Sequence, residues 1–379
     1  MQESSLSQNV RSVALSGIRQ YTALAKSTPD CIALTIGEPE FDTPSSIRQA
    51  AKDALDSNMT HYPPNNGEPF LREAIARFEN ERNGYDYTAD EVVVTVGATG
   101  AIFASLMSII NTGDEVIVPT PAFSLYENII RLCGGKYVPL DTSKDDFQIT
   151  SEALKAAISP RTKAIVLNSP NNPTGCILNA ESLKNVYDLV KDTEIFVLCD
   201  DVYSQLVYDE GYRSFASFRD LRKQILLIQS FSKPYSMTGW RVGYLCGDVS
   251  VIAQIQKIHQ NSAVSVTSFI QTACVQALKT NVTPMRESYH ARRDYMYDAL
   301  IKIGMEVSLP GGAFYIFPSI GKFEMDSDTF ARRLIAECKV GTVPASCFGS
   351  EGFVRLSYCY SMEELEIALG RMERFIKSL

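Results

Sequence analysis

Short apolar segments alternate with helical segments between residues 92 and 246, and this alternation restricts the chain to few folds. Strands are predicted from runs of β-branched and aliphatic residues at Val92–Val96, Glu115–Val118, Lys136–Pro139, Lys163–Leu167, Ile195–Cys199, Ile225–Ile228 and Tyr244–Cys246. Helical patterns lie between them, for example at Ala101–Ile110 and around Leu183–Val190. This order predicts an α/β fold with a mostly parallel, seven-stranded sheet flanked by helices on both faces.

The pattern changes towards both ends of the chain. A short strand is predicted at Cys31–Ile36, and Ser45 or Ser46 is predicted to cap the next helix. A long helix is predicted from about Glu287 to Ile303, followed by strands at Gly311–Pro318 and Gly352–Ser357 with a helix between them. We therefore expect a large domain over residues 46–282 and a smaller α+β domain formed by the N-terminal arm, residues 1–45, together with residues 283–379.

Charge and composition argue against several classes of function. The net charge of −8 argues against nucleic acid as a partner, because phosphate backbones bind basic surfaces. No apolar run approaches the roughly 18–20 residues that cross a bilayer, and no signal peptide is visible. The nine cysteines include no C-x-x-C pair, and the three histidines are too scattered for a metal motif. We expect a cytoplasmic protein without membrane, nucleic-acid or metal partners.

Polar groups follow four of the predicted strands, at the edge where an open α/β sheet binds its ligands. They comprise an amide-rich loop, two carboxylates with a phenol, two hydroxyls with a lysine, and a turn of small residues, at Asn168–Gly175, Asp200–Tyr203, Ser230–Lys233 and Gly97–Gly100. The turn opens a helix, and its backbone N–H groups suit a phosphate. Arg241 follows Lys233 by eight residues and adds a guanidinium group.

Pyridoxal 5′-phosphate requires this combination of groups. Its aldehyde needs a lysine, its pyridine nitrogen needs a carboxylate, its phenolic oxygen needs hydrogen-bond donors, and its phosphate needs N–H, hydroxyl and guanidinium groups. Lysine becomes a Schiff-base nucleophile when desolvation and neighbouring cations lower its pKa. The sequence therefore predicts a site for this cofactor at the edge of the sheet.

Each group also has a purely structural interpretation. Lys233 and Arg241 could flank a surface loop, and Asp200 could cap a helix. The Asn171–Gly175 segment could be an ordinary turn, since Asn, Pro and Gly dominate turns. Phe123 could be a core aromatic residue. The occurrence of all of these groups in this order favours the functional interpretation.

The chain resembles the fold-type I, class I aminotransferases of the aspartate/aromatic superfamily along nearly its whole length. Three segments carry the resemblance: Asn171–Gly175, Cys199–Tyr203 and Ser230–Gly243. Within this superfamily it is most similar to the bacterial branch with N-acetyl-LL-diaminopimelate and aromatic aminotransferases. The finer resemblance lies in Ser16–Arg19, Thr35–Gly37, His259–Asn261 and Gly312–Ile320.

The resemblance implies a role for each matching residue. Lys233 would form the Schiff base and move the substrate proton, Asp200 would keep the pyridine nitrogen protonated, and Tyr203 would hydrogen-bond the phenolic oxygen together with Asn172. Stacking on the cofactor ring is implied for Phe123, and phosphate binding for Ala98, Thr99, Ser230, Ser232, Arg241 and, from the second subunit, Tyr62. The expected assembly is thus a homodimer with shared active sites.

The resemblance also implies a site for the amino acid and the 2-oxo acid. Arg355 would clamp the substrate α-carboxylate in a bidentate pair, with Gly37 and Asn172 beside it. The family further places Pro173 after a cis peptide bond.

The pattern departs from aspartate-specific enzymes in the groups that bind a second carboxylate. Thr99 stands where the bacterial aspartate enzymes have a lysine, and no arginine occurs between Arg241 and Arg286. Arg19 is a candidate for such a group, with an exposed position in the arm as the alternative. Gly100 replaces a Glu or Gln common in the family, and we have no functional account of it.

Three functions remain to be compared. The leading hypothesis is a ping-pong transaminase with an aromatic, N-acetyl-LL-diaminopimelate or broad range of donors and 2-oxoglutarate as the acceptor. A carbon–sulfur β-lyase would use the same Lys233 and Asp200, and release of pyruvate without an added oxo acid would favour it. A cofactor-sensing regulatory module would bind DNA, which the acidic charge and the lack of an extra helix-turn-helix segment argue against.

Overall fold

The computed structural model describes residues 5–208 and 211–379. In these residues the strands are β1 (Ile32–Ala33), β2 (Val92–Thr95), β3 (Glu115–Thr120), β4 (Lys136–Asp141), β5 (Thr162–Asn168), β6 (Phe196–Asp200), β7 (Ile225–Ser230), β8 (Gly243–Cys246), β9 (Tyr315–Ile316), β10 (Val340–Gly341), β11 (Val343–Pro344) and β12 (Val354–Ser357).

The helices pack around these strands. They are α1 (Gln8–Arg11), α2 (Gly17–Ser27), α3 (Ser45–Asp56), α4 (Pro69–Asn83), α5 (Gly97–Ile109), α6 (Leu125–Leu132), α7 (Ser151–Ala157), α8 (Ala180–Val190), α9 (Val249–Ala263), α10 (Ser268–Leu278), α11 (Thr283–Lys302), α12 (Ser327–Cys338) and α13 (Met362–Lys377).

Seven of the strands form one large sheet in the order β2-β8-β7-β6-β5-β3-β4. Strand β8 is antiparallel to both neighbours, and the remaining pairs, from β7 to β4, are parallel. This confirms the predicted α/β fold and its mostly parallel, seven-stranded sheet. The reversed β8 places its first residue at the same edge as the last residues of β2 and β7.

The sheet is buried on both faces, which explains its continuous apolar runs. In β7, Ile225 and Leu227 join one hydrophobic core, whereas Leu226 and Ile228 join the core on the opposite face. Successive side chains of a strand point to opposite faces of the sheet. In a sheet that is covered on both faces, every side chain in the middle of a strand is therefore buried and apolar. The polar residues of the sheet are therefore concentrated at its ends.

A further core forms around the helices and short strands of the C-terminal third. Side chains from α11, α12, α13, β9 and β12 meet there, and Leu34 of the N-terminal arm joins them. Strand β1 pairs with β10, which attaches the arm to this region. The domain boundaries given above remain a prediction.

The structure corrects several predicted element boundaries. Strand β1 covers Ile32–Ala33 rather than Cys31–Ile36, because a turn at Leu34 and Thr35 follows it. Helix α3 begins at Ser45 after Pro44 and has no side-chain cap, so the predicted serine cap is wrong. Helix α11 begins at Thr283, four residues before the predicted start, with a proline in its first turn where no N–H is needed. In the described residues we find no helix with the length and apolar character to span a membrane.

Candidate active site

A cavity of about 670 Å³ opens at the carboxyl edge of the large sheet. Twelve of the thirteen predicted site residues line it: Gly37, Ala98, Thr99, Phe123, Asn172, Asp200, Tyr203, Ser230, Ser232, Lys233, Arg241 and Arg355. The thirteenth, Tyr62, does not line this cavity and is 90% exposed.

The strand register explains why residues so distant in sequence meet. Asn168, the last residue of β5, pairs with Asp200, the last residue of β6. Asp200 in turn pairs with Ile228 of β7, two residues before Ser230. Because the parallel strands end at one level, their following residues form a continuous wall.

Lys233 is the amine of this wall. Its Nζ donates a hydrogen bond of 2.7 Å to the backbone oxygen of Gly37 and lies 5.8 Å from the ring centroid of Phe314. Burial, together with a smaller effect of the nearby Arg355 and Arg241 cations, lowers the pKa of Lys233 to about 8. A larger share of the amine is thus unprotonated near neutral pH than for an exposed lysine, as a nucleophile requires.

Asp200 is the carboxylate of this wall and is 4% exposed. Its Oδ2 accepts a hydrogen bond of 2.6 Å from the Tyr126 hydroxyl, whereas its Oδ1 is buried without a partner. Burial raises the pKa of Asp200 to about 6. The structure shows no helix starting at Asp200, which removes the helix-cap interpretation. A buried oxygen without a partner in the described residues indicates a donor from outside the chain.

The anion-binding end of the cavity is formed where β2, β7 and β8 meet. Gly97 has a φ of +67°, and a Cβ atom there would lie 2.6 Å from Nη2 of Arg241. A Cβ atom on Gly243 would lie 2.8 Å from the backbone nitrogen of Ala98. Glycine at both positions therefore lets the guanidinium and the first turn of α5 approach each other closely. The first N–H groups of α5 and Arg241 then face the same space.

Arg355 also lines the cavity and is 1% exposed. Its Nη1 donates 2.8 Å to Oδ1 of Asn172, its Nη2 donates to the backbone oxygen of Thr35, and its Nε is buried without a partner. The guanidinium carbon lies 4.6 Å from the ring centroid of Tyr315. A buried guanidinium with no carboxylate partner suits an incoming carboxylate.

Two tyrosines of the site were missed by sequence reasoning. Tyr126 holds Asp200, and the hydroxyl groups of Tyr315 and Tyr203 lie 2.9 Å apart. Tyr315 lies in Gly312–Ile320, which carries part of the family resemblance, and Tyr126 lies three residues after Phe123, but tyrosines in apolar segments are typical of cores. Only the tertiary contacts show that their hydroxyls reach the cavity.

The predicted cis bond before Pro173 is wrong. The cis peptide bonds of the described residues precede Pro121 and Pro170. The Ser169–Thr174 segment contains two X-Pro bonds, and either can adopt the cis form because proline nearly equalises the two isomers. The sequence does not distinguish them.

Comparisons with known proteins agree with this geometry. The sequence model for "Aminotransferase class I and II" matches residues 29–372 of the chain. The chain belongs to this aminotransferase family. A relative in Bacillus subtilis (strain 168), named a probable N-acetyl-LL-diaminopimelate aminotransferase, is 41% identical and is aligned over 98% of this chain and 95% of its own length.

Other relatives of this aminotransferase carry different substrate names. Aromatic-amino-acid aminotransferase 2 of Thermococcus litoralis is 37% identical over 98% of both chains. The structure of Thermus thermophilus aspartate aminotransferase with maleate superposes with a TM-score of 0.93 at 35% identity, over 99% of this chain and 100% of that one. Family and fold are thus shown, and the enzyme is a transaminase dependent on pyridoxal phosphate.

The residues of this cavity fit the cofactor. The buried Oδ1 of Asp200 lacks a donor, which a protonated pyridine nitrogen would supply. The Lys233 amine has a lowered pKa, as condensation with an aldehyde requires. The close approach of Arg241 to Gly97 at the start of α5 forms a cradle for a phosphate.

Proposed function

We propose that this enzyme moves the amino group of an L-amino acid to 2-oxoglutarate in two half-reactions at one site. The donors are aromatic amino acids, N-acetyl-LL-diaminopimelate or a broad set of neutral amino acids. The single observation that carries this proposal is the position of the buried Arg355 in the same cavity as Lys233 and Asp200. An arginine that no carboxylate of the described chain pairs can hold the α-carboxylate common to all amino and oxo acids.

The residues divide the chemistry among themselves. When bound, pyridoxal phosphate supplies an aldehyde that takes up the amino group and a ring that withdraws electrons. Asp200 would keep a proton on the pyridine nitrogen, because its Oδ1 has no partner in the described residues and is acceptor-only when ionised. Lys233 would hold the cofactor, and its free amine would move the proton at the substrate Cα.

The remaining residues bind and orient. Arg355 fixes the α-carboxylate, with Asn172 and the backbone of Gly37 beside it. Tyr203 and Asn172, which line the cavity, would hydrogen-bond the phenolic oxygen, and Phe123 would cover the ring. The phosphate would be bound by the backbone N–H groups of Ala98 and Thr99 and by the side chains of Ser230, Ser232 and Arg241.

We further propose a homodimer in which Tyr62 reaches the phosphate of the second subunit. The support is that Tyr62 is 90% exposed and lies outside its own cavity, an unusual position for a large aromatic side chain without a partner surface. The proposed location is the cytoplasm. All nine cysteines are described as free thiols, as expected in a reducing compartment.

A single-turnover experiment tests the transaminase reaction and its donor. The purified holoenzyme is mixed with one amino acid and no oxo acid, and the absorbance of the bound cofactor is followed in a stopped-flow instrument. Phenylalanine, tyrosine or N-acetyl-LL-diaminopimelate should convert the yellow cofactor to its amine form, and 2-oxoglutarate should restore the yellow band. Conversion by aspartate alone, or restoration by pyruvate but not 2-oxoglutarate, would contradict the proposed substrates.

A further inference from the structure

Tyr62 lies in the connection between α3 and α4, which contributes little to the interior of the protein. The Tyr62 side chain is exposed, and so are its neighbours His61 and Pro64. None of residues 57–68 joins a hydrophobic core of the described chain. A segment without apolar anchors keeps one conformation only where polar contacts offset its loss of conformational entropy. The polar contacts of this segment therefore determine the position of Tyr62.

Two buried polar side chains from neighbouring helices supply such contacts. His259 of α9 is 1% exposed, and its Nδ1 lies 3.1 Å from the backbone oxygen of Asn65. Gln271 of α10 is fully buried, and its Oε1 accepts a hydrogen bond of 2.7 Å from the backbone N–H of Glu68. The segment is thus held three residues after Tyr62 and again at its end.

The histidine makes a single hydrogen bond with its ring in the part of the chain that the structure describes. A carbonyl oxygen only accepts, so Nδ1 carries the ring proton and donates it to Asn65. The other nitrogen, Nε2, is buried without a partner in the described residues. Burial lowers the pKa of His259, which keeps the ring neutral at neutral pH. A leucine would fill this space without an unpaired polar atom, so the bond to Asn65 is what the histidine adds.

Asn65 joins the Tyr62 segment to the end of α9 as well. Its Nδ2 donates a hydrogen bond of 2.9 Å to the backbone oxygen of Val264, the residue that follows the helix. Val264 is exposed and has a φ of +63°, a rare conformation for a β-branched residue. Such strain persists only where surrounding contacts impose it, and it is typical of functional regions. The exposed side chains of Tyr62 and Val264 are therefore held on one assembled surface.

No role assigned above accounts for His259. The segment His259–Asn261 carries part of the family resemblance, yet none of its residues lines the cavity. A buried residue outside the cavity can influence the cofactor only through a group that it positions. The segment that His259 holds carries Tyr62.

We propose that His259 positions Tyr62 for binding the cofactor phosphate of the second subunit. Its bond to Asn65 fixes the conformation of the segment before the two subunits meet. His259 is a positioning residue, since its buried ring reaches neither the cofactor nor the substrate. This inference rests on the proposed homodimer in which Tyr62 reaches the phosphate of the second subunit.

Cofactor binding to the apoenzyme tests this role without turnover. Pyridoxal 5′-phosphate and pyridoxal differ only in the phosphate, and the dissociation constant of each is measured by titration followed by absorbance. The variants are Y62F, H259L, H259N and the double variant Y62F/H259L. An asparagine amide lies near the position of Nδ1, so H259N keeps the donor that H259L removes. Q254L is the control, because it removes a polar side chain from an exposed position of the same helix.

We expect Y62F and H259L each to weaken the binding of pyridoxal 5′-phosphate by about tenfold or more, since a hydrogen bond to a charged phosphate is lost in both. The affinity for pyridoxal should change by less than about twofold, because pyridoxal lacks the group that Tyr62 binds. The double variant should stay within about twofold of the weaker single variant, since both changes remove the same contact. H259N should recover most of the affinity, and Q254L should resemble wild type.

Hydrogen–deuterium exchange reports on the segment itself. In the apoenzyme, H259L should speed the exchange of amides in residues 61–67 by about tenfold or more, whereas Y62F and Q254L should not. Thermal melting and sedimentation check that each variant is folded and dimeric. If H259L does not fold, H259Q takes its place, because a glutamine amide lies near the position of Nε2 and not of Nδ1.

Three results would overturn the proposal while the contact of Tyr62 stands. In each of them Y62F weakens the binding of pyridoxal 5′-phosphate. The first is a wild-type affinity of H259L, the second is an equal loss of pyridoxal affinity in H259L, and the third is a double variant in which the two losses multiply. Wild-type affinity of Y62F would instead refute the proposed contact of Tyr62 with the second subunit, and the role of His259 with it.

Discussion

The two sides of the cavity are built in contrasting ways. The sheet-side wall comprises Asp200, Tyr203, Ser230, Ser232 and Lys233, and the side chains of the first four of these are at least nine-tenths buried. The arm-side wall comprises the cavity-lining residues of α2 and its N-cap together with Ile36, Gly37 and Glu38. The residues from α2 and its N-cap are Ser16, Ile18, Arg19, Thr22, Ala23 and Lys26, and the two cations among them, Arg19 and Lys26, are exposed. The sheet-side wall is positioned by the strand register of the sheet. The arm-side wall is formed by one helix and by the segment that follows β1.

This contrast separates the chemistry from the choice of substrate. Groups at the ends of buried strands are held within the register of the sheet, which suits reactions that need fixed geometry. Arg19 and Lys26 are exposed positions of α2, so they can change without disturbing the core that Tyr21 and Ala25 of the same helix enter. The relatives fit this view, since they share the family while their names give aspartate, aromatic or N-acetyl-diaminopimelate substrates.

The most severe test of the sheet-side wall is Lys233→Ala. Removal of the amine should lower kcat by about 10⁴-fold or more, because both its covalent role and its proton transfer are lost. Lys257→Ala, in an exposed position of α9, is the matched control and should keep wild-type activity. A Lys233→Ala variant within tenfold of wild type would show that this wall does not hold the catalytic group.

The second test concerns Arg355, which lies between the two walls. Arg355→Gln should lower kcat/KM by about a hundredfold for every amino donor, since a buried charge pair with the α-carboxylate is lost. Arg355→Lys keeps the charge but loses the bidentate geometry, so it should recover only part of this loss. The cofactor absorbance should be unchanged in both variants, and a loss for dicarboxylic donors alone would assign Arg355 to the second carboxylate instead.

The third test compares two glycines. A Cβ atom on Gly37 would lie 1.7 Å from the Tyr315 hydroxyl oxygen, so Gly37→Ala should displace Tyr315 and its contacts with Tyr203 and Arg355. We expect kcat/KM to fall by about tenfold, as for an interaction energy of about 1.4 kcal/mol.

Gly100→Ala is the control for this pair. A Cβ atom at Gly100 would make only ordinary contacts, the nearest at 3.6 Å from Cβ of Val96. Alanine should keep activity and stabilise α5 by about 0.5–1 kcal/mol, which thermal melting measures. An active Gly37→Ala variant together with an inactive Gly100→Ala variant would contradict the assigned geometry of both glycines.

The smallest effect should come from Asp201, which lies behind the sheet-side wall. Burial, together with a smaller effect of the nearby Asp200 and Glu79, raises the pKa of Asp201 to about 7. A folded-state pKa above the unfolded value means that this group stabilises the fold at low pH. That contribution is lost as the pH rises through about 7. In the cofactor-free protein, Asp201→Asn should reduce the fall in melting temperature between pH 5 and pH 8 by about 2–4 °C. An unchanged difference would show that Asp201 does not titrate in this range.

The sequence predicted the sheet-side wall well for a physical reason. Parallel strands of one sheet end at one edge, so the residues that follow Leu167, Cys199 and Ile228 could be placed together from the strand pattern alone. The same logic identified the turn at Gly97 and the amine at Lys233.

The arm-side wall could not be predicted in this way. The contacts of Thr22 with Thr35, and of Thr35 with Arg355, join residues separated by up to 320 positions. No periodicity encodes which face of α2 meets the cavity, and a helix with exposed cations is typical of a solvated surface. Tyr126 and Tyr315 were missed because a buried tyrosine has the same pattern whether its hydroxyl serves a core or a site.

The reversed strand β8 has a consequence for where the chain tolerates changes in length. Ser230 pairs with Gly243, and the backbone N–H of Phe231 donates to the backbone oxygen of Val242. These contacts hold the two ends of the loop 232–241 together. An extra residue within 232–241 would move either the amine or the guanidinium away from its ligand. Gly113 is exposed and a Cβ atom there would meet nothing within 4 Å, so an insertion at this position should be accepted. Peptide insertions into this protein should therefore be made at Gly113 and not within residues 232–241.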